Sequence, residues 1–265
     1  MQICIPSGKL FILKNCCAMK LGFIGTGRIS TAVIESLARD SYEIFISRRG
    51  KKNSKRLSEA YKNVLIGDNQ EVVNQSDVVF IGLTADKAEK ALETLRFSKK
   101  QLVVSFMAAI SEKKVKKLVY PATFDSIMIP WPAIKNKGSP VLCWPSSNLI
   151  QKIFSKSCNV IGFDKFEEFE KYLIAQAVLS PILQMLEVTT DWLSENTDKT
   201  DKEDTFLRSL VATTLLSQNI RHGIKGLSTK GGLNERLRIH MDKKGVYKEL
   251  IDGLQNLHWS QKNNE

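Results

Sequence analysis

Leu21-Gly22-Phe23-Ile24-Gly25-Thr26-Gly27-Arg28-Ile29-Ser30 is the stretch whose reading decides the fold. Leu21 to Ile24 is a short apolar run of the kind a strand needs when it is covered on both faces. Just beyond it Ile29, Ala32, Val33 and Leu37 recur at helical spacing, one stripe that packs a helix back onto a sheet. The turn between them, Gly25-x-Gly27-x-x-Ser30, sets its glycines where strand becomes helix. There Gly25 permits a tight turn, Gly27 lets phosphates approach the backbone, and Ser30 stands for a third glycine as a small residue at the helix–sheet contact. Backbone N–H groups of Thr26, Arg28 and Ile29, together with the helix dipole, then form a seat for a pyrophosphate.

About 20 residues further on, at the end of the next strand, an NAD-binding unit places an acidic residue on the ribose hydroxyls. This chain has Ser47-Arg48-Arg49 instead. A hydroxyl followed by two guanidinium groups suits a 2′-phosphate, since arginine is a permanently charged, bidentate donor and no carboxylate stands there to repel it. The cofactor expected is therefore NADP(H).

Further apolar runs follow at Glu43 to Ile46, Val64 to Ile66, Val78 to Leu83, Leu102 to Phe106, Ser126 to Ile129, Val141 to Trp144 and Asn159 to Phe163, separated by helix-like segments. This alternation predicts an α/β fold: an N-terminal Rossmann-type, mostly parallel sheet with helices on both faces over residues 19–164. From 165 to 265 the pattern becomes helical, which predicts an all-helical C-terminal domain. Phe166 to Leu193 is one helical stretch, Asp198 to Asp204 a charged linker, and Asp204 to His222 a second helix. Leu233 to Leu257 holds two more pieces divided by Lys243-Lys244-Gly245, with the glycine as a cap. Residues 1–18, ahead of a second methionine at Met19, read as a disordered extension or a misassigned start, and Ser260 to Glu265 as a polar tail.

At 265 residues, 43% hydrophobic and 25% charged, the chain has the composition of an ordinary globular protein. Its formal charge of +11 is spread over many segments without a nucleic-acid-binding module, so no nucleic-acid partner is expected. No stretch reads as long enough to span a membrane. The five cysteines lack CxxC spacing and His222, His240 and His258 are scattered, so the reading is reduced thiols in a cytoplasm and no metal.

The segments Leu21 to Ile29, Ser47 to Arg49, Asp77-Val-Val-Phe-Ile-Gly-Leu83, Val103-Val-Ser-Phe-Met-Ala-Ala-Ile-Ser111 and Thr229-Lys-Gly-Gly232 together resemble the successive landmarks of pyrroline-5-carboxylate reductase. The resemblance implies a homodimer whose helical domain carries the subunit contact, and a small imine or keto carboxylate as substrate. It places Leu83 and Thr84 over the nicotinamide side of the cofactor, although the family's lysine-proline pair is absent there. Trp131, in Pro130-Trp131-Pro132-Ala133, takes the place of a longer, less bulky run and walls the substrate pocket. Thr229-Lys230-Gly231-Gly232-Leu233-Asn234 stands for a motif with paired threonines, with Gly231 and Gly232 at the substrate's carboxylate and Thr229 and Asn234 positioning it. Asn234 also reads as the N-cap of a helix.

Reducing a cyclic imine requires a hydride, a cavity that presents the C=N carbon to it, and a proton on nitrogen. An imine that arrives protonated needs no strong general acid, in keeping with a sequence that shows no evident catalytic histidine or lysine. Two other readings stand beside this one. A β-hydroxyacid dehydrogenase shares the plan but relies on a lysine in the first long helix of its second domain, and Ile174 to Leu186 has none. A non-catalytic NADP-binding sensor is the other, kept open by the altered residues at Thr84, Trp131 and Leu233.

Overall fold

A computed structural model describes residues 19–107, 109–198 and 202–257. The readings for 1–18 and for the tail, and Cys4, Cys16, Cys17 and His258, lie outside the described residues. All eight apolar runs are strands: β1 (Lys20–Ile24), β2 (Glu43–Ser47), β3 (Val64–Gly67), β4 (Val78–Ile81), β5 (Leu102–Ser105), β6 (Thr123–Pro130), β7 (Ser139–Trp144) and β8 (Cys158–Gly162). Between them run α1 (Arg28–Leu37), α2 (Lys51–Ala60), α3 (Asn69–Gln75), α4 (Ala85–Leu92), α5 (Glu112–Val119) and α6 (Asn148–Phe154).

They form one sheet in the order β3-β2-β1-β4-β5-β6-β7-β8. The strands from β3 to β6 are mutually parallel, β7 pairs antiparallel with β6, and β8 runs parallel to β7. The reversal at β7 has a local cause. Only a 3-10 turn, Pro132–Lys135, and a few loop residues separate β6 from β7, too little chain for the crossover a parallel pair needs.

Packing explains why the apolar runs are continuous. Phe23, Ile24, Phe80 and Ile81 of β1 and β4 are fully buried, and the Phe23 and Phe80 rings stack with centroids 4.8 Å apart. From α1 the residues Ala32, Val33, Ile34 and Leu37 close one face of the sheet, and from α6 so do Ile150, Ile153 and Phe154. Strand order reverses between β1 and β4, and the carboxyl ends of these neighbouring strands open a crevice of the kind in which α/β sheets bind ligands.

The chain divides into two compact units at Phe169/Glu170. The second is helical. It comprises most of α7 (Phe166–Ala175), then α8 (Leu179–Glu195), α9 (Lys202–Ser217), α10 (Ile220–Gly226), α11 (Leu233–Lys243) and α12 (Val246–Asn256). The helix expected over Asp204 to His222 is two helices. Asn219 breaks it by accepting the His222 N–H with its side chain, so α10 starts anew. Gly245, at φ 78°, separates α11 from α12 as expected.

One expectation needs correction. The helical run Phe166–Glu195 contains an 18-residue window of mean hydropathy 1.3, long and apolar enough by length and composition alone to cross a membrane, with 6% of that window buried. The early acids Glu167, Glu168 and Glu170 mask this in the sequence, because the apolar stretch begins only beyond them. α8, α11 and α12 bury no residue at all.

Candidate functional site

The carboxyl ends of β1, β2 and β4 bring three loops to one edge of the sheet. Gly25, which follows β1, has φ +97°, and a Cβ on it would stand 2.5 Å from the Gly82 carbonyl oxygen beyond β4. Both the left-handed conformation and the close approach demand glycine. Gly27 is the N-cap of α1 with φ −70°, and a Cβ there would meet nothing within 4 Å. Glycine at 27 is thus not required by the fold; it leaves open space in front of the helix. The first turn of α1 has no side-chain cap and no acidic residue, so its leading N–H groups face that space unpaired by any cap. Ser30 is buried against Gly82, where a Cβ would come within 1.9 Å of its Oγ. A small residue at 30 therefore serves the contact with the end of β4. Gly27's open face and the uncapped α1 amides fit a pyrophosphate.

Of the residues expected at the cofactor, Ser47 and Thr26 turn their side chains inward. Ser47 is wholly buried, and its Oγ accepts the Gly25 N–H at 2.8 Å. The β1–β2 register causes this: Phe23 pairs with Ile46, so Ser47 lies level with the start of the glycine turn. Its hydroxyl oxygen thereby holds the glycine loop. Thr26 is also buried, and its hydroxyl has no hydrogen-bond partner among the described residues.

Arg28 is exposed and Ile29 half-buried at the head of α1. Arg48 and Arg49 are both exposed, and neither has an ion-pair partner among the described residues. Their backbone is held by Arg48 N–H donating to the Gly67 carbonyl of β3 at 2.9 Å. Two unreserved guanidiniums beside an open, uncapped helix start are what a phosphorylated dinucleotide requires. Leu83 is half-buried beside Gly25. Thr84 is exposed at the N-cap of α4, and its hydrogen bond to Asp86 holds that carboxyl below the usual range.

Trp131 follows β6 at the same sheet edge, half-buried, and caps the 3-10 turn. A cleft of about 620 Å³ opens over α1, lined by Arg28 and Thr31, by Asn53 and Arg56 of α2, and by Pro132 and Lys135. Trp144 lies at the other end of the sheet, packed on Phe166 at 4.8 Å and Phe169 at 6.4 Å, which makes it a packing residue. Burial lifts the nearby Cys143 thiol above its usual range.

In the helical unit the late glycine motif is a helix start. Gly232, not Asn234, is the N-cap of α11, and Asn234 is its second residue, exposed like Thr229. Gly231 has φ +77°, and its N–H is bound at 2.7 Å by the carboxylate of Glu235. The Gly232 N–H goes to the Thr229 carbonyl at 2.8 Å. Both amides expected to receive a substrate carboxylate are thus engaged by this chain's own oxygens. Glu235, the third residue of α11, reaches back past the Gly232 N-cap to make this bond, which the sequence does not display.

Sequence reasoning also passed over Gly50 and Asn53. Gly50 caps α2, and a Cβ on it would stand 2.1 Å from Thr26 Oγ1. Asn53 donates Nδ2–H to the Thr26 carbonyl at 2.6 Å.

Residues 20–109 match the family model described as NADP oxidoreductase coenzyme F420-dependent. Among curated proteins, none matches the chain. Its fold is similar to that of the pyrroline-5-carboxylate reductase from Streptococcus pyogenes, with a TM-score of 0.75 at 18% identity over 90% of this chain and 96% of that one. The Plasmodium falciparum pyrroline carboxylate reductase, solved with NADP bound, is similar at a TM-score of 0.74 and 13% identity, covering 89% and 94%. An imine reductase from Aspergillus terreus, in complex with NADPH4 and dibenz[c,e]azepine, is more distant at a TM-score of 0.54 and 12% identity, covering 88% and 87%. Over nine-tenths of its length, the chain has the fold of the pyrroline-5-carboxylate reductases, a Rossmann-type sheet followed by a helical unit.

Proposed function

We propose that the protein is an NADPH-dependent reductase that adds a hydride to the C=N carbon of a small cyclic imine carboxylate, with pyrroline-5-carboxylate to proline as the leading case. The observation that carries this reading is the open, uncapped start of α1 at Gly27 beside Arg48 and Arg49, which have no ion-pair partner among the described residues, in a chain with the fold of those reductases. When bound, the nicotinamide supplies the hydride from its C4, and a proton from solvent or from the protonated imine completes the amine. Gly25, Gly27 and the first turn of α1 bind the pyrophosphate through backbone N–H groups, Arg48 and Arg49 take the 2′-phosphate, and Leu83 and Thr84 border the nicotinamide. Trp131, half-buried where β6 ends, walls the side of the pocket that the sheet supplies.

The same reading makes the protein a homodimer, supported by the helical unit's uncovered apolar side chains: Trp192 is 61% exposed, Leu216 88% and Leu233 82%. A unit with so few buried residues does not form a core alone, and a second copy covers such faces without lipid. Free, buried Cys143 and Cys158 suit a cytoplasm.

A second reading of the substrate is favoured by Glu235. Because its carboxylate already holds the Gly231 N–H, a substrate carboxylate would have to displace a like charge there, whereas a neutral imine such as 1-pyrroline would not. One assay separates these readings: NADPH oxidation with pyrroline-5-carboxylate, 1-pyrroline and a panel of bulkier cyclic imines and keto acids. Turnover of the carboxylate above the others supports the first, and turnover of 1-pyrroline alone supports the second. Tight NADPH binding without any turnover would leave a non-catalytic NADP sensor.

A further inference from the structure

The loop after β1 and the loop after β2 are joined by contacts that neither needs for its own secondary structure. Gly25 donates its N–H to the buried Ser47 Oγ at 2.8 Å. Asn53, in the first turn of α2, donates Nδ2–H to the next carbonyl, that of Thr26, at 2.6 Å. Between these two bonds the buried Thr26 hydroxyl lies against Gly50 so closely that no side chain fits at 50. Arg48 and Arg49 occupy the intervening segment. They hang from a stretch of backbone tied to the glycine turn on both sides, at Ser47 and at Asn53, and fixed from behind by Gly67.

Physically this makes one frame of two anion seats. A ligand with two phosphates gains from such a frame because, once the first phosphate is bound, the second meets its partners at a high effective concentration. If the spacing between the seats fluctuates, that gain shrinks, and a ligand with a single phosphate loses nothing. One N–H of the Asn53 side-chain amide is committed to the Thr26 carbonyl, and through that bond Asn53 acts on the glycine turn itself.

We propose that Asn53, acting with Ser47, is a positioning residue that holds the glycine turn and the arginine segment at one spacing, so that the pyrophosphate and the 2′-phosphate are engaged together. The proposal rests on the reading of these loops as an NADP(H) site and deepens it.

The test uses the full chain and four ligands, titrated by calorimetry into the wild type and Asn53→Ala. NADPH and 2′,5′-ADP carry phosphate groups for both seats; 2′-AMP and 5′-AMP carry one each. Alanine is a strong helix former on this partly exposed face of α2, and a thermal melt verifies folding. Wild type should bind 2′,5′-ADP more tightly than either monophosphate. In N53A the two bridging ligands should weaken by about fivefold or more while 2′-AMP and 5′-AMP stay within about twofold, and the ratio of bridging to single-phosphate affinity should fall. Ser47→Ala provides a second variant with the same expected pattern. An equal loss for all four ligands would overturn the proposal, since it would mean only that Asn53 supports the glycine turn. So would an unchanged ratio, or a wild type that binds 2′,5′-ADP no better than 2′-AMP. A wild type that binds neither NADPH nor 2′,5′-ADP would instead defeat the cofactor reading itself.

Discussion

Glycines 25 and 27 stand two residues apart and are needed for opposite reasons, which makes them separable by experiment. Gly25→Ala forces a side chain into a left-handed conformation and against the Gly82 carbonyl, so it should cost about 1–3 kcal/mol of folding stability in urea denaturation as well as cofactor binding. Gly27→Ala has an ordinary φ and its methyl meets nothing within 4 Å among the described residues. It should leave the denaturation midpoint within about 0.5 kcal/mol of wild type while weakening NADPH binding at least about tenfold, because its methyl occupies the space a phosphate would enter. Loss of stability without loss of binding in G27A would refute that assignment. Arg48→Ala and Arg49→Ala should each weaken NADPH by about 1.5–3 kcal/mol and leave NADH nearly unchanged. Equal losses for the two dinucleotides would remove the case for a 2′-phosphate seat.

For single elements, the start of α11 offers the sharpest prediction. Glu235 closes the Gly231 amide, so Glu235→Ala should abolish hydrogen-exchange protection of that N–H and destabilise the helix by about 0.5–1.5 kcal/mol. Should Gly231 be the carboxylate seat, the same variant ought to raise turnover of pyrroline-5-carboxylate relative to 1-pyrroline; an unchanged ratio would place the carboxylate elsewhere. How legible each element was depended on how many neighbours specify it. β1, β4 and β5 are covered on both faces, so they announce themselves as unbroken apolar runs. The break between α9 and α10 carries neither Gly nor Pro at its hinge, only Gln218-Asn219, and Asn219 acts through a side-chain bond that composition alone does not display.

Across the whole molecule, the helical unit poses the problem of uncovered apolar surface. Light scattering should give a dimer at micromolar concentration, and Trp192→Lys or Leu216→Asp should yield a monomer or an aggregate. A wild-type monomer that stays in solution without detergent would count against the second copy. A chain that partitions into membranes would direct attention to Phe166–Glu195 as a lipid-facing helix.

By itself the sequence determined the eight strands, the turn at Gly25 to Ser30 and the basic end of β2, because each depends on a local pattern: apolar runs, glycines where strand meets helix, arginines in place of an acid. Only the tertiary structure decided what the small polar residues among them do. Register turns Ser47 toward Gly25, α2 carries Asn53 to Thr26, and the fold of the 229–235 segment gives the Gly231 amide to Glu235. A hydroxyl or an amide has no fixed direction in a sequence. Its partner is whichever group the packing of other elements brings within about 3 Å, and for this protein that packing ties the loop after β1 to the loop and helix after β2.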